Sequence, residues 1–90
     1  MSQTETSQRE ISINGKTYSV ETSQAIDGTR YILTGKRGAK YGTMRNKKNP
    51  TLMFMIDLRG FGIPAGFESV TLTDADGSLS VANVVWLRAA

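Results

Sequence analysis

The sequence predicts an all-β domain of five to seven antiparallel strands, either a small barrel of the SH3-like or OB-like kind or a rolled sheet. Three observations carry this. Asn14-Gly15, the preferred central pair of a two-residue type I′ hairpin turn, stands between two alternating segments. β-branched and aromatic residues dominate the apolar set. No apolar pattern with a 3.6-residue period persists, which leaves no amphipathic helix to build on. Ninety residues suit one domain. Residues 1–8, MSQTETSQ, carry no apolar residue after the initiator and are expected to be a flexible polar tail, with residues 9–90 as the single β domain.

In chain order, the turn at Asn14-Gly15 sets the register of the first hairpin, over residues 9–20. It opposes Ile13 to Lys16, Ile11 to Tyr18 and Arg9 to Val20, which gathers Ile11, Ile13, Tyr18 and Val20 on one face and Glu10, Ser12, Thr17 and Ser19 on the other. Residues 22–28 read as a connection with room for a helical turn at 24–26. A third strand is expected at 29–34, followed by a loop over 35–38.

Strands over 39–45 and 51–58 flank Asn46-Lys-Lys-Asn-Pro50, whose composition is that of a turn. Pairing them as a hairpin opposes Arg45 to Thr51, Thr43 to Met53 and Tyr41 to Met55. Met44, Gly42, Leu52, Phe54 and Ile56 then share the core face, with Gly42 leaving room for the Phe54 ring. Residues 59–66, with three glycines and Pro64, form a loop. The strand over 67–73 turns Val70 and Leu72 inward and Glu68 outward. Asp74-Ala-Asp-Gly77 makes a second hairpin turn, and the last strand spans 78–88 with a bulge at Asn83 or cover on both faces beyond it. The expected core is Ile11, Ile13, Tyr18, Leu52, Phe54, Ile56, Val70, Leu72, Leu79 and Val81.

Composition removes several classes of chemistry. The chain has neither cysteine nor histidine, so it offers no disulfide, no thiolate and no imidazole for acid–base work or metal ligation. No window approaches the roughly 20 apolar residues of a membrane-spanning helix, and the N-terminus lacks a signal-peptide pattern. A cytoplasmic protein is expected, with no membrane partner, no catalytic residues, no cofactor and no metal.

Charge supplies the functional pointer. Seven of the eleven basic residues, Arg30, Lys36, Arg37, Lys40, Arg45, Lys47 and Lys48, fall in the segment 30–57, and no acidic residue occurs between Asp27 and Asp57. As a two-stranded basic arm, this segment would hold phosphates with its cations, stack bases on Tyr41 and the Arg45 guanidinium, and add apolar contact from Met53 and Met55. The plain alternative is a solvated loop and an edge strand guarded by lysine.

Other motifs carry less. Arg59-Gly60-Phe61-Gly62 resembles the first four positions of the RNP1 motif of RNA-recognition-motif domains. The likeness ends there, because Ile63, Pro64 and Gly66 break the pattern and the two helices of that fold have no counterpart. Asp74-Ala-Asp76-Gly77 lacks the sixth-position glycine and twelfth-position glutamate of a calcium loop, where Leu79 and Val85 stand. The stretch from Gly35 to Gly42 lacks the GK[ST] of a phosphate loop.

The expected function is therefore non-enzymatic binding of nucleic acid. Single-stranded DNA or RNA is favoured because no recognition helix exists to fill a major groove. The alternative is a small interaction or inhibitor module that docks an acidic partner surface through the same arm. The apolar surplus at Met53, Met55 and Val84 to Leu87 adds the expectation of a homodimer.

Overall fold

The structure, a computed structural model, describes residues 6–63, 66–75 and 78–88, without the side chains of residues 36, 60 and 61. Its strands are β1 (Thr6–Ile13), β2 (Lys16–Ala25), β3 (Gly28–Thr34), β4 (Lys40–Arg45), β5 (Leu52–Asp57), β6 (Gly66–Ala75) and β7 (Ser78–Arg88). Single 3-10 turns at Lys36–Gly38 and Leu58–Phe61 complete the described elements. All pairings are antiparallel, in one sheet of order β1-β2-β3-β4 and a second of order β5-β6-β7. The fold is all-β and rolled rather than a closed barrel, because no ladder joins β4 to β5 or β7 to β1 among the described residues.

The first hairpin forms in the expected register, with Ile13 opposite Lys16, Ile11 opposite Tyr18 and Arg9 opposite Val20. Asn14 and Gly15 both take positive φ, 51° and 79°, as a type I′ turn requires. The hairpin is longer than expected: Thr6, Ser7 and Gln8 of the supposed tail pair with Ser23, Thr22 and Glu21, while residues 1–5 lie outside the described residues. β2 likewise runs through the supposed connection to Ala25, which pairs with Gly28 around a two-residue turn at Ile26-Asp27. No helical turn interrupts it, since alternation continues through Thr22 and Gln24.

The two sheets face each other and share one core. Ile11, Ile13, Tyr18, Val20, Tyr31 and Leu33 come from the first sheet, and Leu52, Phe54, Ile56, Val70 and Leu72 from the second, closed at one end by Leu58. Removing these side chains from water is the main favourable term of folding. Leu79 and Val84 pack partly against this cluster, but Val81, expected inside, is exposed. A bulge follows it: Leu72 pairs with Val81 and Thr71 with Asn83, so Ala82 is extra and the ladder is disturbed beside Asn83. Beyond the bulge Val85, Trp86 and Leu87 are exposed, so the last strand is not covered on both faces.

The connection over residues 46–51 departs most from expectation. It forms a turn, in which Asn46 Oδ1 accepts from the Lys48 and Asn49 amides at 3.0 and 2.8 Å, and the Asn46 amide donates to the Asn49 carbonyl. The strands it links do not pair with each other. β4 pairs with β3, opposing Arg45 to Thr29, Thr43 to Tyr31 and Tyr41 to Leu33, while β5 pairs with β6. The turn carries the chain from one sheet to the other, so the 30–57 segment is not a two-stranded arm. Because Tyr31 and Leu33 are buried, their partners Thr43 and Tyr41 face inward, and Gly42 and Met44 face outward opposite Ile32 and Arg30 rather than toward Phe54.

Two polar ties bridge the sheets at opposite ends of the core. At one, Asn14 Nδ2 donates to Glu68 Oε1 at 3.1 Å and Lys16 Nζ lies 3.7 Å from the same oxygen. Glu68, expected outside, is buried because strand alternation puts it on the face of Val70 and Leu72. At the other, Asp74 accepts from Arg9 and Tyr31. Asp74 and Ala75 belong to β6 rather than to the turn expected at 74–77, whose other two residues, Asp76 and Gly77, lie, like Pro64, outside the described residues.

Candidate nucleic-acid interface

The structure divides the basic segment into two groups. Tyr41 and Arg45 point between the sheets. The Tyr41 hydroxyl donates to the Asp57 carbonyl at 3.4 Å, and its ring packs against the core. The Arg45 guanidinium lies 5.4 Å from the centre of the Tyr31 ring and donates to the Asp74 carbonyl at 3.4 Å. Neither side chain is placed to stack a base, which corrects the role expected for both. The β4 register decides this: the faces follow from pairing with β3.

The outward group remains. On the outer face of the four-stranded sheet, β3 and β4 present Arg30 and Lys40 around Ile32, Gly42 and Met44. At the start of β4 stands the Lys36–Gly38 turn, where Arg37 takes left-handed backbone (φ 61°, ψ 23°) and is exposed. At its far end Lys47 and Lys48 are exposed on the sheet-switching turn. Six strand residues span about 20 Å at roughly 3.3 Å each, so the cations form a strip in the order Arg37, Lys40, Arg30, then Lys47 and Lys48. The backbone of Lys36 lies at the same end as Arg37. Met53 is on the outer face of the other sheet and does not join the strip.

The electrostatics of the strip differ from those of the rest of the molecule. Arg9, Lys16 and Arg59, all outside the segment, pair with Asp74, Glu68 and Asp57. Arg88 lies 5.1 Å from the centre of the Trp86 ring. Arg30, Arg37, Lys40, Lys47 and Lys48 make no ion pair with an acidic side chain among the described residues. Acids on the same sheet face, Glu10 and Glu21, sit on the β1–β2 half, so the face is acidic on one side and basic on the other.

One contributor escaped the sequence reading. Ile26, at the tip of the β2–β3 turn, is fully exposed, and with Asp27, Gly28, Asn46, Lys47 and Lys48 it lines an open groove of about 640 Å³. A β-branched apolar residue between Ala25 and Asp27, where turn chemistry favours Gly or Asn, was the available signal. Asp27, which bounds the acid-free segment in sequence, thus stands beside its lysines in space.

Comparison with known proteins gives no match: no family model, no curated protein and no solved structure is similar to this chain. The class that fold and site define is a two-sheet, all-β domain with a basic strip along β3 and β4 that makes no ion pair among the described residues.

Proposed function

We propose that the protein is a non-enzymatic nucleic-acid-binding protein that follows the phosphate backbone of a single strand along the β3–β4 strip. One observation carries the reading: Asp57, Glu68 and Asp74 pair with cations outside the strip, while five cations of the strip are exposed and make no ion pair with an acidic side chain among the described residues. Unpaired cations aligned on an edge are what phosphate contact and counterion release require. The strip bears no aromatic ring, so binding rests on phosphates and carries little sequence information. Single strands are favoured because the described helical elements are single 3-10 turns, too short to enter a major groove. Asp57, Glu68 and Asp74 are each engaged with a cation, which leaves them poorly suited to acid–base chemistry and supports the non-enzymatic reading.

The direct test is fluorescence anisotropy of labelled oligonucleotides of unrelated sequence at low salt. The parent should bind them all with similar affinity, and Arg30→Glu combined with Lys40→Glu should weaken all of them together. If the parent leaves the anisotropy unchanged, the reading fails.

A second reading, docking of an acidic protein surface, is favoured by Ile26. A fully exposed isoleucine flanked by Lys47 and Lys48 suits an apolar socket with an acidic rim. Under that reading Ile26→Ser abolishes a one-to-one complex; under the nucleic-acid reading it leaves oligonucleotide binding unchanged.

A further inference from the structure

We propose that the chain forms a two-fold dimer by antiparallel pairing of β7 with β7 of a second copy. β7 ends its sheet, so the outer backbone edge of an eleven-residue strand has no ladder partner among the described residues. Edge strands are usually guarded by lysine, proline or inward charge. From Ser78 to Leu87 this strand has none of these, and Arg88 is its one charged residue. Although Leu79 and Val84 pack partly against the core, it also exposes apolar side chains on both faces. Val81 and Trp86 lie on the core-side face, and Val85 and Leu87 on the outer face, beside the exposed Met53 and Met55 of β5 and β6's partly exposed Phe67. An added strand satisfies the backbone edge and both side-chain faces together.

The surface chemistry points to a second copy. From Ser78 to Leu87 the strand carries no charge, and Arg88 lies over the Trp86 ring at its end, so a polyanion or an acidic partner finds little complement there, whereas a like surface does. A two-fold axis normal to the sheet keeps outer faces on the same side, so paired residues have numbers of equal parity. An axis at Val85 sets Val85 against its copy, Val84 against Trp86 and Asn83 against Leu87. The two Arg88 side chains are then at opposite ends of the pairing, and no like charges meet. The basic strips lie away from this edge, so the dimer does not depend on the nucleic-acid reading.

The test uses the full chain and the absence of native cysteine. Sedimentation equilibrium at high micromolar concentration should give the mass of two chains, and Val85→Lys the mass of one, with an unchanged circular dichroism spectrum. A Val85→Cys variant should form a disulfide-linked dimer on mild oxidation, since directly opposed residues in an antiparallel pair have Cα atoms about 4.5 to 5.5 Å apart, within disulfide reach. Met53→Cys, equally exposed but on the far strand of the sheet, should cross-link much less. A one-chain mass for the parent, a mass that keeps growing with concentration, or equal cross-linking of the two cysteine variants would overturn the proposal. Loss of the dimer with oligonucleotide binding intact, or the reverse, separates this inference from the proposed function.

Discussion

Arg9 on β1 clasps Asp74 on β6 with two parallel hydrogen bonds, Nη1 to Oδ1 at 3.0 Å and Nη2 to Oδ2 at 3.1 Å. The pair bridges the two sheets. Arg9 Nη2 also donates to Thr22 Oγ1 at 2.9 Å, and the Tyr31 hydroxyl donates to Asp74 Oδ2 at 2.8 Å. A bidentate guanidinium–carboxylate pair largely shielded from water is among the stronger polar interactions, and removing one partner strands the other. Arg9→Met should cost about 2 to 3 kcal/mol in urea unfolding. Tyr31→Phe should couple to it in a double-mutant cycle by more than about 0.5 kcal/mol.

The same pair makes stability depend on acid. The hydrogen bonds from Arg9 hold the Asp74 carboxyl below its usual range, opposed in part by burial and helped by Tyr31. A carboxyl whose folded-state pKa is depressed contributes stability above its unfolded value, near 4, and loses it as pH falls through the folded value. The urea midpoints of the parent and of Asp74→Asn should therefore differ at pH 7 and converge as pH falls through the depressed folded-state value. A constant difference across that range would remove the ionised pair from the account.

Alkaline pH acts through Tyr18. Burial, with the nearby Glu68 charge, pushes its hydroxyl up to about 12. The folded state thus favours the neutral phenol, so its contribution is complete below about pH 10 and is lost as pH rises toward 12. Tyr31 shifts in the same direction, chiefly by burial. Tyr18→Phe should flatten the alkaline limb of the stability curve, leaving the part due to Tyr31.

The first hairpin was legible because turn chemistry and alternation agree there: Asn14-Gly15 fixes a register, and Ile11, Ile13, Tyr18 and Val20 follow from it. The 46–51 turn was legible as a turn but not as a sheet switch, since a short loop of this composition serves either purpose. That single ambiguity inverted the expected faces of β4: Tyr41 and Arg45, expected to stack bases, point between the sheets. It also hid Tyr31 and Leu33 as core, because β3 had no assigned partner. The cations of the strip were legible from composition, whereas their lack of ion pairs among the described residues was not, because Arg9 with Asp74, and Lys16 with Glu68, meet only through the fold.

Gly28 provides a structural check on that switch. Its φ is 149°, and a Cβ there would run into the Arg45 carbonyl oxygen and Asn46 Cβ. Gly28→Ala should cost about 2 kcal/mol of stability, measured by urea unfolding, by pushing the sheet-switching turn away from β3. A neutral result would mean that the two turns are not in contact.

The strip itself is tested most directly by the salt dependence of binding to single-stranded oligonucleotides, measured in parallel for the parent, for Lys47→Glu with Lys48→Glu, and for Tyr41→Phe. Five phosphate contacts at about 0.7 each give a fall of log affinity with log salt of slope about 3 to 4. The charge-reversed protein should bind all sequences more weakly with a slope lower by about 1 to 2, and Tyr41→Phe should match the parent, because that ring faces the core. An unchanged slope after charge reversal, or a flat salt dependence in the parent, would contradict phosphate binding along β3 and β4.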